Sequence, residues 1–270
     1  MKFICPKCMK NLRASDGAAV CESGHSYDRS RAGYYNLLLS NKSTTHGDNR
    51  EMVEARRAFL SLGYYSPLAE CVADILVART PAVPLLLDAG SGEGYYTDIV
   101  ERALYERDSK SAVHAFDISK DAVQKAAKRN PRITLAVAGS YKMPLADSSV
   151  DAVMNTFSPL AREETHRVLK SGGIFVLAIP GEDHLFELKA AIYDDPYKNT
   201  VADTALEGFS LIDTRTLKYT MNLSSGDEVR ALFGMTPYAY RTPPHCRARV
   251  TSLDSLDVTA HFHVFVYEKC

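Results

Sequence analysis

The run at 85–94 reads Leu-Leu-Leu-Asp-Ala-Gly-Ser-Gly-Glu-Gly, and it restricts the fold of this 270-residue chain more than any other segment. Uninterrupted apolar residues of strand length suit a strand covered on both faces, and glycines at its end let the backbone turn sharply and approach a neighbour closely. The rest of the chain repeats that plan. Apolar strands are predicted at 85–90, 112–118, 133–139, 150–157 and 173–180. Helical stretches lie between them, from about residue 94, at DAVQKAAKR and at REETHRVLK. Continuous apolar strands alternating with helices specify an α/β domain with a parallel, doubly wound sheet.

Ahead of this unit, EMVEARRAFLSLGYY has helical spacing with Met52, Ala55, Phe59 and Leu62 on one face. A second helix, LAECVADILVAR, ends before Pro81. Phe59, Leu60 and Leu62 are expected in the core. Beyond Pro180 the pattern becomes a helix, a strand near FSLIDTRTLKY, a helix start at Ser-Ser-Gly-Asp and a last strand, VTAHFHVFVYEK. Val258, Ala260, Phe262, Val264 and Val266 share one side of that strand.

The glycine turn discriminates between cofactors. A nicotinamide dinucleotide fingerprint needs a small residue at 95, but that residue is tyrosine. The spacing is instead Asp88, Gly90, Gly92, Gly94, with Glu93 inside the turn, and it suits S-adenosylmethionine, which brings no pyrophosphate. Asp117 ends the next strand, where a carboxylate accepts hydrogen bonds from ribose hydroxyls. As an alternative, Asp117 caps the following helix, although Ser119 or Asp121 can also do so.

A second chemistry sits at the N-terminus. Cys5 and Cys8 form one close pair, and Cys21 and His25 form another. Two such pairs supply the four soft or borderline ligands of tetrahedral zinc. An unmetallated redox pair is the competing reading, but it lacks the βαβ setting of such motifs. Four protein ligands leave no open position, so the zinc is structural. Cys71, Cys246 and Cys270 read as ordinary thiols.

These signals divide the chain into a zinc-binding module at 1–38, a polar linker at 39–50 and a methyltransferase domain at 51–270. The boundary at 38 predicts that damage to the zinc module leaves cofactor binding intact. Residues 1–62 carry ten Lys or Arg against six Asp or Glu in a chain of net charge -1, which marks where a polyanion docks unless the surplus is only a solvated face. No apolar run is long enough to span a membrane, and the start MKFICPKCMK has no apolar core behind its basic residue, so the protein is expected in the cytoplasm.

Taken in order, CPKC, CESGHSYDRSRAGYYNLLLS, EARRAFLSLGYYSPL, DAGSGEGYYT, AIPGEDHL and MTPYAYR resemble the RlmA-type 23S ribosomal RNA guanine-N1 methyltransferases over nearly the whole chain. The resemblance implies a class I methyltransferase (Rossmann-like) fold whose last strand runs antiparallel. It also implies a homodimer acting on a hairpin of 23S rRNA, and cofactor contacts from Tyr65, Gly92, Glu93 and His184. Asn155 and the backbone carbonyls of Ser158 and Pro159 are positional candidates for receiving the guanine N1 proton, and no catalytic residue is assigned. On the residues alone, Tyr65 can simply pack and His184 can simply start a helix. Tyr34 and Tyr35 can stack on a base or fill the small module. Two other functions fit the same motifs: a small-molecule methyltransferase with the zinc module as a lid, and a non-catalytic zinc-dependent RNA-binding protein.

Overall fold

A computed structural model of the chain describes residues 2–39, 47–201 and 203–270. Most of the expected linker, 40–46, therefore lies outside the described residues. Residues 2–39 hold an antiparallel sheet of β1 (Leu12–Ser15), β2 (Ala18–Cys21) and β3 (Ser26–Asp28), followed by the short strand β4 (Tyr35–Asn36). Helices α1 (Arg50–Leu60) and α2 (Ser66–Arg79) lead into the α/β unit. That unit runs β5 (Leu85–Ala89), α3 (Tyr95–Arg107), β6 (Ala112–Asp117), α4 (Lys120–Arg129), β7 (Thr134–Val137), a 3-10 turn at Ser140–Lys142, β8 (Val150–Thr156), α5 (Arg162–Val168) and β9 (Leu169–Pro180). Then come α6 (Phe186–Ile192), β10 (Phe209–Leu223), α7 (Gly226–Gly234), α8 (Tyr238–Arg241), α9 (Pro244–Thr251) and β11 (Leu256–Lys269).

The main sheet has the order β10-β11-β9-β8-β5-β6-β7-β4. Strands β4 to β9 are parallel, and β11 inserts antiparallel between β9 and β10. The sheet is thus the doubly wound one expected, closed by two late strands. Val258, Ala260, Phe262, Val264 and Val266 are all fully buried, as their spacing of two requires.

Two details of the leading helix differ from expectation. The buried positions of α1 are Val53, Phe59 and Leu60, whereas Met52 and Ala55 are half-buried. Leu62 is 47% exposed because the helix ends at Leu60 and the chain turns away. Leu169 and Lys170, expected at the end of the REETHRVLK helix, belong to β9.

The zinc module is built into the main sheet. Strand β4 pairs in parallel with β7 and forms the sheet's last strand, and Phe3 is fully buried and bridged to Leu145. The main-chain N–H of Lys2 donates to Nε2 of His114 at 3.0 Å, and the Phe3 ring meets the imidazole edge-on at 5.1 Å. Burial depresses the His114 pKa to about 3. The unfolded chain therefore binds a proton that the folded one does not between about pH 6.5 and 3, so His114 opposes unfolding above that window and stability is lost as pH falls through it. His114→Gln keeps an acceptor for Lys2 without a titrating ring. In thermal melts between pH 7 and 4 it is expected to show a flatter fall in Tm than wild type. Asp88, pushed up to about 7 by burial, acts in the opposite direction in both proteins, so the difference isolates His114.

Candidate active site

The C-terminal ends of β5, β6 and β8 open onto a cleft of about 1200 Å³. Its floor is the glycine turn. Gly92 has φ +54°, and its N–H donates to Oδ2 of Asp117 at 2.9 Å; Oδ1 of Asp117 accepts from Ser119 N at 2.8 Å. Ser119 itself caps α4, so Asp117 is not needed as the cap. A Cβ on Gly92 would stand in open space toward the cleft, with the Arg56 guanidinium 3.9 Å away. At Gly90 a Cβ would occupy the place of the Ser158 hydroxyl, so the turn at 157–159 lies directly over the glycine turn.

The acidic residues here have different tasks. Asp88 is buried, and its carboxylate accepts from Thr97 Oγ1 at 2.5 Å, tying β5 to the first turn of α3. Glu93 lines the cleft, but both its oxygens lie within 2.9 Å of Arg129 Nη2, and burial raises its pKa against that cation. Gly94 starts α3. Asp117, at the end of β6, lines the cleft with its carboxylate held by two main-chain N–H groups, and burial raises its pKa.

Tyr65 and His184, 119 residues apart, meet in the cleft wall, with Tyr65 Oη 3.2 Å from His184 Nε2. Nδ1 of His184 accepts from the main-chain N–H of His261 at 3.3 Å. Burial holds the ring neutral, with a pKa of about 3. A neutral imidazole whose Nδ1 accepts carries its proton on Nε2, so the Tyr65 oxygen accepts and its own proton is free to point into the cleft. His261 escaped the sequence reading. Its Nδ1 accepts from Asp183 N at 3.2 Å and its main chain holds both Gly181 and His184, so it braces the 181–184 turn. The same use of Nδ1 makes the cluster of His261, His263 and Glu182 a structural one rather than a metal centre.

Asn155 is buried with both ends of its amide engaged: Oδ1 accepts from Ser158 N at 3.2 Å and Nδ2 donates to Pro159 O at 3.2 Å. These bonds fix its amide within the turn at 155–159. That turn holds Phe157 at φ +57°, a conformation costing a bulky residue roughly 1–3 kcal/mol. The ring stays 40% exposed in the cleft beside Tyr65, Tyr96 and His184. Three buried hydroxyls lining the cleft, Ser91 Oγ, Tyr96 Oη and Thr156 Oγ1, have no hydrogen-bond partner among the described residues. Buried hydroxyls are normally satisfied, so their state suits a polar ligand such as the expected cofactor.

In the N-terminal module, whose Pro6 lines the same cleft, ligand atoms of Cys5, Cys8, Cys21 and His25 lie within 4.8 Å of one another. Cys8 and Cys21 sulfurs are 3.5 Å apart, and His25 Nδ1 is 3.5 and 3.4 Å from those of Cys5 and Cys21. A tetrahedral zinc with Zn–S of about 2.3 Å has edges slightly longer than these, so the donor set fits the ion with little movement. The Tyr27 hydroxyl, 3.2 Å from Cys5 Sγ, supports that sulfur, a role with no signal in the cysteine spacing. Tyr34 and Tyr35 are buried, which settles their alternatives in favour of packing. Arg50 pairs with Glu54 on the surface, whereas Arg56 turns into the cleft.

Comparison with known proteins matches both parts of the chain. Residues 87–177 match a family model described as a methyltransferase domain, and residues 3–44 match one described as the N-terminal zinc ribbon of RlmA. A Micromonospora griseorubida protein provisionally named for guanine-N1 methylation of 23S rRNA is 34% identical over 95% of this chain and 93% of its own. The 23S rRNA (guanine(748)-N(1))-methyltransferase of Streptomyces fradiae is 32% identical over 91% of this chain and 88% of its own. Among solved structures, the YcgJ protein of Bacillus subtilis superposes with a TM-score of 0.50 at 13% identity, covering 74% of this chain and 97% of that one, and it shows the fold alone.

Proposed function

Since the chain belongs to the RlmA-type family of 23S rRNA guanine-N1 methyltransferases, we propose that it methylates N1 of a guanine in a hairpin of 23S rRNA, using S-adenosylmethionine bound on the 88–94 turn. The observation that carries this reading is the extent of the cleft. It runs from the glycine turn to Pro6, Leu37, Leu38 and Leu39 of the N-terminal module, so the surface that holds the cofactor continues onto the one suited to RNA.

S-adenosylmethionine supplies a methyl group activated on a sulfonium. The protein's part is placement and exclusion of water. Asp117 receives the ribose, the glycine turn admits the close approach, and Tyr65, oriented by His184, donates one hydrogen bond into the cleft. Guanine N1 lies on the pairing edge, so the base enters unpaired or flipped. Phe157 and the 76%-exposed Tyr141 at the cleft mouth offer aromatic faces to it. Transfer forms the N1–methyl bond, breaks the methyl–sulfonium bond, and releases the N1 proton to solvent. Cys5, Cys8, Cys21 and His25 hold zinc in a module that presents exposed Lys7, Lys10 and Arg31 to phosphates.

The family resemblance also supports a homodimer. The exposed outer edge of β10, a 15-residue strand, needs a cover that a second copy provides, a state that light scattering measures directly. No helix among the described residues is long and apolar enough to cross a membrane; a ribosomal RNA substrate supports a cytoplasmic location.

The test is incubation with labelled cofactor and unmodified 23S rRNA, followed by reverse transcription, which a methyl group on N1 arrests. A single strong stop at a guanine is expected; label on other RNA or on a small metabolite excludes the reading. Lys7→Glu with Lys10→Glu is expected to weaken RNA binding at least about tenfold. It should also lower the salt dependence of log K by about 1 to 2, because each phosphate contact releases about one counterion. Cofactor affinity, measured by calorimetry, should stay as in wild type.

A further inference from the structure

Among the described residues, the cationic side chains lining the cleft are Arg56 and Lys142. Lys142 is at the module end, donating to Pro6 O at 3.2 Å. Arg56 is over the glycine turn, its Nη1 closest to the place a Gly92 side chain would take. Nη2 donates to Met235 O at 3.3 Å, and Nη1 is paired with the carboxylate of Asp48. Both side chains of the pair are largely buried, with 31% and 21% exposed.

The cofactor's own charges decide what this pair means. S-adenosylmethionine has two cationic groups, the sulfonium and the ammonium, and one anionic group, the carboxylate of its amino acid end. The cleft offers carboxylates freely, but near the turn it offers one guanidinium. A planar guanidinium is the strongest neutral-pH partner for a carboxylate, and leaving the cofactor's carboxylate unpaired in a half-buried cleft carries a desolvation cost. Asp48 already shows that a carboxylate fits against Arg56. Its main-chain oxygen is tied separately by Ser119 Oγ at 2.8 Å, so its side chain can rotate away while the segment stays in place.

We propose that Arg56 binds the carboxylate of S-adenosylmethionine and that Asp48 occupies the guanidinium until the cofactor displaces it. The proposal rests on the reading that the 88–94 turn holds this cofactor. It also takes Arg56 out of the basic surplus of residues 1–62 that the sequence offers to a polyanion.

Two ligands separate the roles: S-adenosylhomocysteine, which keeps the carboxylate, and 5′-methylthioadenosine, which has the same nucleoside and thioether but lacks the amino acid end. By calorimetry on the full chain, Arg56→Gln is expected to weaken S-adenosylhomocysteine about ten- to a hundredfold, as for loss of one charge-assisted hydrogen-bonded pair. Methylthioadenosine should change less than about twofold on the same scale. Asp48→Asn, which removes the competing carboxylate, should tighten S-adenosylhomocysteine about threefold and leave methylthioadenosine unchanged. Equal losses on both ligands with Arg56→Gln would overturn the proposal and leave Arg56 as a latch to Met235, as would no loss on either. Unchanged or weaker S-adenosylhomocysteine binding by Asp48→Asn also overturns it, and that variant guards against an Arg56 protein that misfolds. If wild-type protein binds neither ligand, the cofactor reading itself fails, a result distinct from all of these.

Discussion

Gly92→Val is expected to abolish S-adenosylmethionine binding, lowering affinity at least about a hundredfold, or about 3 kcal/mol. Gly92 is in the left-handed region at φ +54°, and its open side faces the cleft beneath Arg56. A branched side chain there stands where the ligand approaches, and its backbone conformation costs roughly 1–3 kcal/mol. The strain lowers Tm modestly, while the volume removes the ligand. Gly92→Ala separates the two, because it carries much of the strain with far less bulk and should retain part of the affinity. Calorimetry with S-adenosylhomocysteine, beside a thermal melt of each variant, checks both parts. Wild-type affinity in the valine protein would place the cofactor elsewhere.

Cys8→Ser is expected to reduce zinc from one per chain to a small fraction, measured by elemental analysis, and to damage the whole protein. A hydroxyl is a poor zinc ligand, and structural zinc contributes about 10 to 16 kcal/mol to the folding of finger peptides at neutral pH. In a chain of this size, losing even about 3 kcal/mol lowers Tm by about 10 °C. From the sequence boundary at 38, the damage stops at the module. In the structure it reaches further, since β4 forms the end of the main sheet, Phe3 is buried against the catalytic unit, and Leu37 to Leu39 wall the cleft. Cofactor affinity is therefore expected to fall together with zinc content. A zinc-free protein that binds S-adenosylhomocysteine normally would show that these contacts are dispensable.

The sequence by itself determined the features that are local in the chain. The alternation of apolar strands and helices, the glycine turn after β5, the acid ending β6 and the four zinc donors in two close pairs are each contained in a few consecutive residues. Their chemistry follows from spacing, since backbone period, turn geometry and ligand bite are short-range properties. Tertiary structure decided which partner each charged or polar group takes. Glu93 turned to Arg129, Asn155 closed its own turn, and Arg56 left the surface for a place above Gly92. Tyr65 met a histidine whose tautomer is set by the main chain of His261 on the last strand. Side chains that are ambiguous in sequence, such as an arginine that suits RNA or a cofactor equally well, are resolved only by packing. Burial fixes the few neighbours within reach, and those neighbours come from segments that the sequence separates by tens to more than a hundred residues.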